Sequence, residues 1–127
     1  MSKIVVVNDN MKRLRGWERA LKPVEVIPFT HPNFLATELR KYSERYADAN
    51  LYLLDRMFYG QDLIQDQIFR EIKSLVPKKE AKFVVTSGMH TAGDKVPGYD
   101  YTLPGRPLLL KDLNRILSKA FGRAIVE

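Results

Sequence analysis

The sequence predicts an α/β protein in which a parallel sheet carries helices on both faces. Short apolar runs, rich in β-branched residues, alternate with longer segments whose apolar residues recur every three or four positions. Strands that are separated by helices pair in parallel, because a long crossover returns the chain to the edge where it started. With 127 residues and no repeat, the chain is expected to form a single domain over 1–127.

The predicted elements follow in a regular order. The run KIVVV reads as a fully buried strand, and NDN after it is a helix-cap signal. Pro23 ends the first helix, and prolines mark the starts of the second and last helices. The predicted strands are 3–7, 24–29, 50–55, 81–87 and a short one near 99–103, and the predicted helices are 10–22, 31–49, 61–77 and 107–124.

Each helix is predicted from an apolar stripe that should face the sheet. The stripe of the first helix includes Met11 and Trp17, and that of the second includes Phe34, Tyr42 and Tyr46. Residues 88–105 contain four glycines and two prolines, so we expect a loop or one helical turn there instead of a full helix.

Composition excludes several functional classes. The chain has no cysteine, so it has neither a disulfide framework nor thiol chemistry. It has no apolar run of the roughly 18–20 residues that a membrane span needs, and its first residues lack the features of a signal peptide. We therefore expect a cytoplasmic protein without a membrane partner. His31 and His90 are far apart and cannot form a histidine-rich metal site alone.

Polar residues end three of the predicted strands. Asn8 and Asp9 follow the first strand, Asp55 ends the third, and Thr86 lies at the end of the fourth, while Arg106 follows the last. Ligands of open α/β sheets bind beyond the carboxyl ends of the strands. If these strands are neighbours, two carboxylates can hold Mg²⁺, and a hydroxyl and a cation can bind phosphoryl oxygens. Such a site supports phosphoryl transfer to a carboxylate.

These segments resemble the receiver domain of two-component response regulators, and the resemblance covers nearly the whole chain. The stretches that carry it are KIVVVNDN, LYLLDRMFYG, KFVVTSG and GYDYTLPGRPLLLKDLNRIL. The resemblance implies a flavodoxin-like, doubly wound, five-stranded parallel sheet in the order 2-1-3-4-5. The fourth helix of that fold is expected to be shortened or replaced by a loop.

The resemblance also implies functions for individual residues. Asp55 would be the phosphorylation site, Asp9 a Mg²⁺ ligand together with Asp55, Thr86 the switch hydroxyl and Tyr101 the switch aromatic. A histidine kinase, a phosphotransfer protein or another signalling protein would be the partner. Arg106 would stand in the place of the family's lysine and hold the phosphoryl group.

The departures from the family pattern leave two interpretations open. Asn8 replaces the first acid of the family's pair, Tyr59 replaces a proline, and Arg106 replaces a lysine from which it differs in shape and hydrogen bonding. Gly105 before Arg106 also shifts the register. The chain is either a phosphoacceptor or a degenerate pseudo-receiver, in which Arg106 pairs with Asp55 and Mg²⁺ binding is lost.

A second resemblance competes with the first. Some receiver-related domains are thought to process cyclic phosphates, and NDNMKRLRGW resembles their first motif, an acid followed by a spaced arginine. TSGMHTAGDKV loosely resembles their fourth-strand end, whereas LDRMF departs from their third. This alternative is an enzyme that acts on cyclic or terminal phosphates of RNA or nucleotides. Its candidate residues are Asp9, Arg13, Asp55, Thr86 and His90.

Basic residues concentrate on the first and last predicted helices. These helices carry nine bases and two acids, so their net charge exceeds the +6 of the whole chain. We predict one basic face, and its members are Lys12, Arg15, Arg19, Lys22, Lys111, Arg115 and Lys119. A third interpretation is therefore a non-catalytic module that binds an acidic protein. Nucleic acid is not favoured, since no recognition helix or stacking aromatics accompany the charge.

Overall fold

The computed structural model describes residues 2–56, 63–88 and 91–126, and for 63–66 it describes the backbone alone. Within these residues, five strands form one sheet, and four α-helices cover it. None of these helices is long and apolar enough to cross a membrane. The elements are β1 (Lys3–Val7), α1 (Met11–Ala20), β2 (Glu25–Phe29), α2 (Pro32–Tyr42), a 3₁₀ turn (Ser43–Tyr46), β3 (Ala49–Asp55), α3 (Leu63–Leu75), β4 (Lys82–Ser87), β5 (Tyr101–Pro104) and α4 (Leu110–Phe121).

All five strands are parallel, and their order is β2-β1-β3-β4-β5. This confirms the predicted flavodoxin-like, doubly wound architecture. The chain moves outward from β1 to β2 and then returns to the other side of β1 for β3. The carboxyl ends of β1 and β3 therefore flank the topological switch point, where open α/β sheets bind their ligands.

Alternate residues of the strands pack into two separate cores, one on each face of the sheet. Ile4 and Val6 face α1 and α4, whose buried residues include Trp17 and Leu117. Val5 and Val7, which alternate with them in β1, face α2 and α3 instead. This two-sided burial explains why the central strands are almost continuously apolar. It also places α1 and α4 on the same face of the sheet, as the strand order predicts.

The fourth crossover is a loop over the described residues between β4 and β5, which confirms the expected loss of a helix. Two hydrogen bonds between Asp100 and Phe83 hold the end of the loop against β4. The Asp100 backbone N–H donates to the Phe83 carbonyl at 2.8 Å, and the Asp100 carboxylate accepts from the Phe83 N–H at 2.8 Å. Gly98 has a φ of +86°, and a Cβ there would lie 3.1 Å from the Phe69 ring. Glycine allows both the backbone conformation and the close packing.

Several predicted boundaries and contacts are wrong in detail. The second helix ends at Tyr42, where the 3₁₀ turn begins, and α4 begins at Leu110 instead of Pro107. Met11 and Phe34 are 52% and 60% exposed, whereas the apolar periodicity predicts both of them in core-facing stripes. Both lie in the first turn of their helices, close to the carboxyl edge of the sheet, and not over its middle. Tyr42 is 39% exposed, at the end of its helix.

Candidate functional site

The polar strand ends meet at the carboxyl edge of the sheet. In the β3–β4 ladder Asp55 is the register partner of Thr86, and in the β1–β3 ladder Val7 is the partner of Leu54. Asn8 therefore follows β1 at the level of Asp55. Asn8, Asp9, Asp55 and Thr86 together form what we call the carboxyl-edge site. The predicted convergence of these four residues is consistent with this register.

Burial differs between the members of this site. Asn8 and Thr86 are 1% and 2% exposed, whereas Asp9 and Asp55 are half-buried. The ladder continues past Asp55, because the Arg56 N–H donates to the Thr86 carbonyl at 3.0 Å. The site therefore places a buried hydroxyl beside a half-buried carboxylate.

The loop after β1 is ordered by its own side chains. The Asn8 Oδ1 atom accepts from the Asn10 backbone N–H at 2.9 Å, and the Asn10 Oδ1 atom accepts from the Arg13 N–H at 3.2 Å. Asn10 thereby caps α1, since its side chain satisfies one of the free N–H groups of the first turn. The two bonds fix the loop on both sides of Asp9.

The site offers two carboxylates to a cation. The Asn8 amide oxygen is engaged by its own loop, and the described residues contain no group of three histidine, cysteine, aspartate or glutamate side chains that could hold a metal. Mg²⁺ keeps several waters and needs only one or two carboxylates together with phosphate oxygens. Asp9 and Asp55 therefore supply the number of carboxylates that a Mg²⁺ site requires, with less charge than a site with three acids.

Arg13 brings a cation from α1 to the end of β5. The Arg13 guanidinium donates to the Gly105 carbonyl, and a Cβ at residue 105 would lie 2.7 Å from its Nη1 atom. Glycine at 105 makes room for this approach. Arg106 follows β5 by two residues and is exposed. Sequence reasoning placed Arg13 among the candidates of the enzyme alternative, but it had no signal for this contact across 92 residues of chain.

The remaining candidates are placed as follows. His31 caps α2, with its Nδ1 atom accepting from the Asn33 N–H at 3.1 Å. Tyr101, the proposed switch aromatic, is half-buried and packs edge-on against Phe121, with ring centroids 6.1 Å apart. His90 and Tyr59 lie outside the described residues.

The basic face is present as a set of exposed side chains. All seven predicted members are exposed, and both helices that carry them pack on the same side of the sheet. Within the described part of the chain, the one ion pair that a member makes is Arg115–Asp112, at 3.8 Å. The other six members make no ion pair within that part of the chain, so the face keeps a large positive charge.

Comparison with known proteins finds no counterpart. No family model matches the chain, and no curated protein or solved structure matches it either.

Proposed function

We propose that the chain is a receiver-like signalling domain that accepts a phosphoryl group on Asp55. The observation that carries the proposal is the register of Asp55 with Thr86, next to Asp9 at the switch point of the sheet. A nucleophilic carboxylate, a second carboxylate and a buried hydroxyl at one edge are the groups that phosphoryl transfer needs, because the reaction depends on positioning and electrostatics.

The reaction can be written for acetyl phosphate as the donor. A carboxylate oxygen of Asp55 attacks phosphorus, the bond between phosphorus and the acetyl oxygen breaks, and acetate leaves with the electron pair. The product is an acyl phosphate on Asp55. Thr86 would donate its hydroxyl proton to a phosphoryl oxygen, and Asp9 together with Asp55 would hold Mg²⁺, which supplies positive charge to the phosphoryl oxygens when bound.

The basic face supplies a route for the signal to an acidic partner protein. It consists of exposed side chains on and just after α1 and on α4, and Arg13 connects α1 to the carboxyl end of β5. Reversal of Arg15, Arg19, Arg115 and Lys119 to Glu should abolish salt-sensitive binding to poly-glutamate, used as an acidic probe. Adduct formation from acetyl phosphate should remain, since the face is separate from Asp55. Unchanged binding to the probe would exclude this partner surface.

The test of the phosphoacceptor function is the intact mass after incubation with Mg²⁺ and acetyl phosphate. Asp55→Asn is the test variant, and Asp48→Asn is its matched control, because Asp48 is an exposed carboxylate that pairs with Lys3 at 3.3 Å. We expect one phosphoryl adduct in the wild type and in Asp48→Asn, and none in Asp55→Asn. An unmodified wild-type chain, with no Mg²⁺ binding, would make the protein a pseudo-receiver.

A second candidate is supported by Arg13. An arginine at this edge that comes from the first helix is the feature shared with the receiver-related domains that process cyclic phosphates, and its guanidinium suits bidentate phosphate binding. This enzyme would hydrolyse a 2′,3′-cyclic nucleotide with repeated turnover and without any phosphodonor. Turnover that is lost in Arg13→Gln would favour it over the phosphoacceptor.

A further inference from the structure

The amino edge of the sheet, on the side opposite to Asp55, carries a second cluster of polar side chains. Two clefts open there, and both are lined by Lys78. One has a volume of about 570 Å³ and is also lined by Ser2 and Asn50. The other has a volume of about 200 Å³ and is also lined by Lys73 and Lys79. We call the pair the amino-edge cleft.

Lys78 is held in place by a hydrogen-bonded network. Its ammonium group donates to the Asn50 side-chain carbonyl. The Asn50 amide group in turn donates to the Ser2 hydroxyl at 2.6 Å and to the Ile125 carbonyl at 3.2 Å. This network joins both ends of the chain to β3. A lysine fixed in this way has already lost much of the conformational freedom that ligand binding would otherwise cost.

The ammonium groups around the smaller cleft lack anionic partners. Within the described residues, Lys73, Lys78 and Lys79 form no ion pair with a carboxylate. Lys73 donates to the Gly98 carbonyl at 2.9 Å, which leaves other donors of that group for a ligand. Lys82 also lines the cleft, with its ammonium over the Phe121 ring at 5.1 Å from the centroid, and the Lys73 ammonium lies over the Phe83 ring at 5.6 Å. Neither ring removes the charge above it, so four lysine charges line the smaller cleft.

The acids nearby offset only part of this charge. Asp100 lines the smaller cleft, where its Oδ2 atom accepts from the Phe83 N–H at 2.8 Å, and its one negative charge against four lysines leaves a net charge of +3. Glu80 and Arg123 both line the larger cleft and offset each other in charge. Val76 and Phe83 contribute apolar atoms to one wall of the smaller cleft, while most of its lining residues are charged.

We propose that the amino-edge cleft binds the phosphate group of a small phosphorylated molecule. Lysine ammonium groups are compact charges that suit a multiply charged anion such as phosphate. The smaller cleft lies below the roughly 300–1,000 Å³ of sites for drug-sized ligands, which matches a phosphate group. The larger cleft beside it has room for the rest of the molecule. This binding is independent of the proposed phosphorylation of Asp55.

The test is a titration of the isotope-labelled full-length chain with inorganic diphosphate, at constant ionic strength, followed by backbone amide NMR shifts. Lys79→Gln is the principal variant, because Lys79 makes no hydrogen bond or ion pair with any described residue and its loss should leave the fold intact. Lys78→Gln is the second variant. Lys22→Gln, which changes another exposed lysine two residues after α1, is the matched control, and Asp55→Asn separates this site from the carboxyl edge.

We expect saturable shifts at Asn50, Lys78 and Phe83 in the wild type. Loss of one charge-assisted hydrogen bond should weaken binding at least about tenfold in Lys79→Gln and Lys78→Gln, and leave Lys22→Gln and Asp55→Asn unchanged. Shifts that do not saturate, or that weaken equally in Lys22→Gln, would overturn the proposal and leave only general charge attraction. Binding of single-stranded RNA without binding of diphosphate would also overturn it.

Discussion

Placing an acid at residue 8 is the sharpest perturbation of the carboxyl-edge site. Asn8 is 1% exposed, and its Oδ1 atom accepts from the Asn10 N–H at 2.9 Å. In Asn8→Asp a carboxylate oxygen can accept the same bond, so the loop around Asp9 keeps its shape. The substitution adds one negative charge beside Asp55 with almost no change in volume, and we expect it to tighten Mg²⁺ binding.

The size of the effect follows from two opposing terms. At roughly 4 Å and an effective dielectric constant of about 20, one pair of unit charges interacts by about 4 kcal/mol. The cost of burying the new carboxylate, and its repulsion from the other two, cancel part of this gain. We expect a net gain of about 1.4–2.8 kcal/mol, which corresponds to roughly ten- to hundredfold tighter binding of Mg²⁺. Without Mg²⁺ the variant should melt at a lower temperature than the wild type, and Mg²⁺ should reverse the loss.

The matched control is Asn10→Asp. It adds the same charge two residues away, but residue 10 is exposed and aspartate caps a helix about as well as asparagine. Calorimetric Mg²⁺ titrations of the three proteins, with thermal melts in parallel, distinguish a ligand at residue 8 from a general change in charge. Equal Mg²⁺ affinities in Asn8→Asp, Asn10→Asp and the wild type would refute the placement of the metal between Asp9 and Asp55.

Three further predictions concern the fold that holds the site. Gly16→Ala should lower the free energy of unfolding measured in urea, because the new Cβ would lie 2.9 Å from the Pro107 Cγ atom. The cost of this overpacking, about 1–3 kcal/mol, exceeds the gain in helix propensity of about 1 kcal/mol. A more stable variant would contradict this prediction. Tyr52→Phe should raise the free energy of unfolding by about 1 kcal/mol, since the buried Tyr52 hydroxyl has no hydrogen-bond partner among the described residues. A loss of stability would mean that this hydroxyl does have a hydrogen-bond partner. Burial, followed by the Glu38 carboxylate, raises the pKa of Tyr46 to about 12, and burial raises that of Tyr52 as well, so the folded state holds protons that the unfolded chain releases above pH 10. The free energy of unfolding should be constant just below pH 10 and fall between pH 10 and about 12, by up to about 1.4 kcal/mol per pH unit for each tyrosine. The fall should be less steep in Tyr52→Phe. An equal slope in both proteins would refute the raised pKa of Tyr52.

The sheet and the carboxyl-edge site could be predicted from sequence because their signals are local. Each strand is a continuous apolar run, and each polar residue of the site directly follows a run, so a parallel sheet brings Asp9, Asp55 and Thr86 to one edge whatever the other details are. The glycines and prolines of 88–105 likewise predict a loop instead of a helix, and this signal lies entirely within one segment.

Contacts between distant segments could not be predicted in this way. The interaction of Arg13 with Gly105 depends on the packing of α1 against the end of β5. Nothing in the sequence of either segment indicates that it contacts the other. The exposure of Phe34 depends on where α2 begins relative to the sheet edge, which apolar periodicity does not specify. Lys73 and Lys78 come together because α3 and its following loop end at the amino edge.

The measurement that tests the central claim most directly is the position of a phosphoryl group on the chain. After incubation with Mg²⁺ and acetyl phosphate, fragmentation of the intact protein in the mass spectrometer locates the adduct. Phosphorylation of Asp55 in the wild type, abolished by EDTA, is the predicted result. An adduct on any other residue, such as His31, or one that forms equally well in EDTA, would contradict the assignment of Asp9, Asp55 and Thr86 to a phosphoryl-transfer site.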